Sequence, residues 1–108
     1  MPNSVYDELV RGIIDAVGKP VQRIVLYGSV ARGTNSGDSD IDIAVIMDGQ
    51  LSSETEDRLS DFIVEMNLKY DKVFSVIDID SVKFESWKAT LPFYRNVDQE
   101  GINLWKVA

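Results

Sequence analysis

The 108-residue sequence contains no cysteine and no histidine. Without cysteine there is no disulfide framework, no thiolate nucleophile and no zinc-thiolate site. Without histidine the commonest general base is missing, and with it the Ser-His-Asp and Cys-His arrangements. Positive charge is also scarce: 11 Lys and Arg stand against 18 Asp and Glu, a net charge of −7. Binding to nucleic-acid phosphates needs clustered Lys and Arg, so no direct nucleic-acid binding is expected. An acidic surface suits a basic protein partner, or serves solubility alone. No signal peptide and no apolar run of membrane-spanning length stands out. The expectation is a cytoplasmic protein with no membrane role, whose chemistry must run on carboxylates, hydroxyls, Lys, Arg and bound metal.

What is present is the balance of a small globular domain, with 44% apolar and 27% charged residues. This length fits one domain, residues 1–108, and leaves no room for a large substrate-binding domain beside it. Whatever the chain acts on must then sit on an open face or be brought by a partner.

Asn3 or Ser4 can cap a first helix, in which Val5, Leu9, Val10, Ile13, Ile14 and Val17 recur at helical spacing. Gly18 and Pro20 end it. Val21 to Tyr27 reads as a buried strand, and Ile41 to Met47 as a second, stopped by Asp48-Gly49. Ser53 with Glu56 has the pattern of a capping box ahead of Leu59, Phe62, Ile63 and Met66, the buried face of a long helix. Val73 to Ile79 reads as a third strand and Val82 to Ala89 as a short helix. Pro92 opens a further helix that Gly101 closes, and Ile102 to Trp105 reads as a last strand. The order predicts an α/β (α+β) fold, a small mixed sheet with flanking helices.

The polar insert from Gly28 to Asp40 is too long for a tight hairpin, and loops of that length in compact domains are usually functional. Gly28 follows directly on a buried strand and lets a phosphate approach the backbone. Ser29 adds a hydroxyl, and Val30-Ala31-Arg32 can begin a short helix whose first amides point the same way. Asp40 and Asp42 are two residues apart entering a strand, so both carboxylates face one side. Carboxylates that close repel unless a cation lies between them. Hard oxygen ligands suit Mg2+ or Mn2+, which keep waters and also bind substrate phosphates. Asp38, in Ser36-Gly37-Asp38, reads as turn chemistry. Glu54, Glu56, Asp57 and Asp61 read as the solvated face of the second long helix. Trp87, Phe93, Tyr94 and Trp105 could form a base-stacking platform, but late aromatics of this kind are more often core or interface.

Gly28-Ser29, ten intervening residues, then Asp40-x-Asp42 resembles the motif of the DNA polymerase β-like nucleotidyltransferase superfamily. The flanks match as well: an apolar strand ending in Tyr27, then Ala31-Arg32-Gly33, then Ser39-Asp40-Ile41-Asp42. The whole chain resembles the minimal nucleotidyltransferase (MNT) branch. The resemblance implies the polymerase β-like fold, with Gly28 and Ser29 holding a nucleoside triphosphate, Asp40 and Asp42 binding the metal, and Arg32 ordering the loop or touching phosphate. It implies ATP as substrate and transfer of AMP to a hydroxyl. Active members of the family carry a third acid on the neighbouring strand. Asp78 has the right apolar setting for it, whereas a three-residue shift in register puts Ser75 there. The resemblance to antitoxins of HEPN/MNT toxin–antitoxin pairs implies a HEPN-type toxin as partner and acceptor. Two further readings stay open: an antitoxin that neutralises by binding alone, and a small-molecule nucleotidyltransferase whose acceptor site a homo-oligomer completes.

Overall fold

A computed structural model describes residues 3–33 and 40–107, leaving aside the side chains of residues 3 and 4. The expected cap at Asn3 or Ser4 and the expected turn at Ser36-Gly37-Asp38 therefore lie outside the described residues.

The elements follow in the order α1 (Asn3–Val17), β1 (Val21–Tyr27), α2 (Gly28–Arg32), β2 (Ile41–Met47), α3 (Ser53–Tyr70), β3 (Phe74–Asp80), α4 (Ser81–Trp87), α5 (Pro92–Glu100) and β4 (Ile102–Lys106). The four strands form one sheet in the order β3-β2-β1-β4. β1 is antiparallel to both neighbours, and β2 runs parallel to β3. The parallel pair needs a long crossover, which α3 supplies. The sheet is mixed and has helices on both faces, as the element order implied.

Strand alternation divides the core in two. On one face Ile24, Leu26, Ile41, Ile43, Val45 and Phe74 pack against Leu9 and Ile13 of α1 and Leu59 and Met66 of α3. On the other face Val25, Ala44, Ile46 and Ile79 pack against Phe84 of α4 and Val97 of α5. β2 is the spine, since six of its seven residues are buried. The exception is Asp42.

Local boundaries follow local chemistry. Gly18 closes α1 at φ 87°, a left-handed conformation that glycine adopts without Cβ strain. The cap of α3 lies one residue earlier than the Ser53–Glu56 pattern predicted. Ser52 is the N-cap, and its side chain accepts the Thr55 amide. A serine stands at both positions, so the pattern alone could not fix the register. Asp80 ends β3 and caps α4 by accepting from the Val82 amide. No helix among the described residues is long and apolar enough to cross a membrane.

Candidate active site

The site forms where β1 ends and β2 begins. Tyr27 is the last residue of β1, and the chain turns straight into α2 at Gly28 with φ 79°. A Cβ on Gly28 would collide with the Asp42 carboxylate. Glycine is required there twice over, for its backbone angle and for the close approach of an acid. Gly33, at φ 72°, caps α2.

Asp42 lies opposite Tyr27 across the antiparallel pair and beside Ser75 across the parallel one. Directly paired residues share a face, so Tyr27, Asp42 and Ser75 make a row across three strands. The row lies on the α4–α5 side of the sheet with Val25, Ala44 and Ile77. Asp40, just before β2, is exposed two residues ahead of Asp42. Phe93, at the start of α5, stands edge-on to Tyr27 with ring centroids 5.5 Å apart and forms a wall over the row.

The electrostatics are those of two crowded acids. Partial burial pushes the Asp42 carboxyl above its ordinary range. The neighbouring Asp40 charge pushes it further, and Arg32 opposes both. Tyr27 is also raised, first by burial and then by Asp42. Arg32, half exposed, forms a 3.9 Å ion pair with Glu100 of α5. Its positive field reaches Asp42 while its side chain ties α2 to α5.

The register answers the question of the third acid. Asp78 pairs with Val45, not with Asp42. It therefore projects from the α1–α3 face, where it is exposed beside Leu51 and Glu56. Asp78 as a third catalytic acid is thus corrected: three residues along a strand is an odd number, and an odd number changes the face. Ser75 takes the place beside Asp42. Among the described residues no third acid joins Asp40 and Asp42. Two crowded acids, one of them half-buried with its carboxyl raised, are a donor set that fits a hard divalent cation with its remaining places left to water or phosphate oxygens.

A groove of about 760 Å3 lies elsewhere, at the opposite end of β1. There Arg23 pairs with Asp98 at 3.3 Å, donates to Asn103 and lies over the Phe84 ring. That arrangement braces α4, α5 and β4 against β1. Sequence reasoning missed both this brace and the pairing of Tyr27 with Phe93. Of the late aromatics, Tyr94 packs against the second core and Trp105 against the first, as expected. Trp87 and Phe93 stay half exposed.

The fold and this constellation define a nucleotidyltransferase. The chain belongs to the polymerase β nucleotidyltransferase family, whose family model matches residues 13–107. It is 35% identical over 81 residues to "Putative protein adenylyltransferase MJ0604" of Methanocaldococcus jannaschii, covering 75% of each chain. Two solved structures share the fold. A toxin–antitoxin structure with AMP-PNP aligns at TM-score 0.63 and 22% identity, over 94% of this chain and 73% of that one. A complex of tri-AMPylated Shewanella oneidensis HEPN toxin with MNT antitoxin aligns at TM-score 0.62 and 20% identity, over 99% and 74%.

Proposed function

We propose that this nucleotidyltransferase moves AMP from ATP to a hydroxyl of a partner protein, and that the partner is a HEPN-type toxin which it restrains as an antitoxin. The observation that carries the reading is the row Tyr27–Asp42–Ser75, with Gly28 pressed against the Asp42 carboxylate and Asp40 beside it. The row sits at the strand ends where β1 passes into α2, a place that an acceptor delivered on another protein can approach. The relative named as a protein adenylyltransferase and the toxin–antitoxin neighbours support the same direction.

Asp40 and Asp42 would hold Mg2+ or Mn2+, which when bound neutralises the triphosphate and the developing charge in transfer. Gly28 leaves room for the phosphates against the backbone, and Ser29 offers a hydroxyl donor at the same turn. The acceptor oxygen forms a bond to the α-phosphorus as the bond to the β-phosphate oxygen breaks. Pyrophosphate leaves, and the hydroxyl proton passes to water. No histidine is present to take it, and Ser75 cannot.

That last point favours a second reading in one respect. A serine where the family carries a third acid fits slow transfer, or neutralisation by contact alone. The deciding assay incubates the chain with α-labelled ATP, Mg2+ and a HEPN-type toxin. Label on the toxin, lost in Asp42→Asn together with inhibition, supports the enzyme. No label, with inhibition intact in Asp42→Asn, supports contact alone.

A further inference from the structure

β3 is an edge strand, and one end of it lies in the site. Its pairing with β2 leaves the outer edge without a strand neighbour among the described residues. The hydrogen bonds show which groups point outward. Ile41 N–H donates to Val73 C=O at 2.9 Å, so that carbonyl faces β2. The next amide, Phe74 N–H, faces away and donates to the Asn67 side chain at 2.8 Å. Alternation then turns the backbone groups of Ser75 and Ile77 toward β2 and those of Val76 and Asp78 outward. Asn67 satisfies the first outward amide. Beyond it the outward groups of Val76 and Asp78 are placed to accept another strand.

The surroundings specify that strand. On the α1–α3 face a cavity of about 310 Å3 opens between α3 and β3, lined by Leu59, Ile63, Val64, Phe74 and Val76 and reaching Asp78. Val64 is 55% exposed, Leu68 one turn further along α3 is 79% exposed, and Val73 at the entry to β3 is 54% exposed. These are large apolar surfaces with no internal use. Asp78 and Glu56 form no ion pair among the described residues. On the other face Ser75, with its small side chain, stands between the edge and Asp42.

We infer that the outer edge of β3 receives an extended segment of the acceptor protein as a fifth strand, with a tyrosine beside Ser75, an apolar residue beside Val76 and a Lys or Arg beside Asp78. The inference rests on the proposed protein-directed transfer and adds how the acceptor is presented. Strands lie about 4.8 Å apart, so a residue next to Ser75 has its backbone about 10 Å from that of Asp42. A tyrosine phenol spans most of that distance toward a nucleotide held over Asp42, whereas a serine hydroxyl falls short. Alternation puts the apolar residue on the opposite face, over the cavity, and the basic residue two positions further on that face. The recognised pattern is Tyr-apolar-x-basic if the segment runs parallel to β3, and its reversal if antiparallel. Main-chain pairing supplies the affinity and the alternate side chains supply the selection.

The test uses two capped peptides containing Tyr-Val-Thr-Lys and Lys-Thr-Val-Tyr, with the whole chain and ATP-Mg2+. At millimolar peptide, one of them is expected to slow hydrogen exchange at the Val76 and Asp78 amides and to become labelled from α-labelled ATP. Val76→Pro removes an outward amide that β2 does not use, and is expected to weaken peptide binding at least tenfold while ATP binding stays within twofold. Asp78→Asn is expected to raise the half-saturating peptide concentration with kcat unchanged. Should Val76→Pro fail to fold, amide protection in the unaltered chain decides. Unchanged exchange at both amides with either peptide overturns the docking, even if ATP binds and a toxin is labelled. A chain that protects these amides but binds no ATP overturns the transfer reading and leaves the docking standing.

Discussion

Gly28 and Asp42 constrain each other at the level of single atoms. Gly28→Ala puts a methyl group into the Asp42 carboxylate and an L-residue at φ 79°. The strain alone is about 1–3 kcal/mol, so the variant should melt several degrees lower and lose ATP binding, which a thermal melt and a nucleotide titration would show. Asp42 makes a pH-dependent contribution of defined sign. Its carboxyl is raised in the folded chain, first by burial and then by Asp40. Folding therefore favours the protonated form. The stabilisation is complete below the ordinary aspartate range and is lost as pH rises through the raised value. Because the group is only partly buried, solvent screening holds the effect below about 1 kcal/mol. In metal-free buffer at neutral pH, Asp42→Asn should melt above the unaltered chain, and Mg2+ should stabilise only the latter. Equal melting temperatures across the carboxylate range would contradict this. Ser75→Asp restores an acid beside Asp42. It should raise the rate of AMP transfer by about a hundredfold or more, within the range of general-base contributions. Single-turnover labelling at saturating Mg2+ measures it.

Secondary elements were legible to different degrees, and the reasons are physical. β1 and β2 declared themselves because both faces are buried, which makes a short apolar run between polar stretches. α1 and α5 were legible from periodicity and from Gly18, Pro92 and Gly101. β3 was found within one residue, yet the face of each of its polar residues was not. Ser75, Asp78 and Asp80 do not share one parity, so the strand's own pattern fits either register, and the α3 crossover makes the choice. The carboxylate pair was visible because its spacing is local. The row that completes it joins residues from β1, β2 and β3 and was not. Packing between α1 and α3 was equally hidden. Gly12 lies inside α1 because a Cβ there would enter the Phe62 ring. Gly12→Ala gains helix propensity but overpacks this contact, and should cost about 1–3 kcal/mol by chemical denaturation. Adding Phe62→Leu should recover part of that loss, since the two positions share one contact.

As a whole the molecule carries a net charge of −7, which acts at distances beyond any single contact. Association with a basic partner should therefore slow as salt rises, because a Debye length of about 10 Å at 0.1 M shrinks to about 3 Å at 1 M. Stopped-flow association rates should fall by roughly tenfold or more between low and high salt while dissociation changes little. A rate indifferent to salt would assign the acidity to solubility alone.

The pairing of β1 with β4 also has a consequence in time. Ile24 finds Trp105, and Arg23 finds Asp98 and Asn103, only after the intervening segment has left the ribosome. Until then the inner strand of the finished sheet is an open edge carrying Val25 and Leu26. The loop that must close is long, and its closure precedes the contacts that reward it. The nascent chain is thus most exposed to misassembly just before β4 emerges. A domain built this way becomes competent only once β4 has paired with β1, rather than gradually.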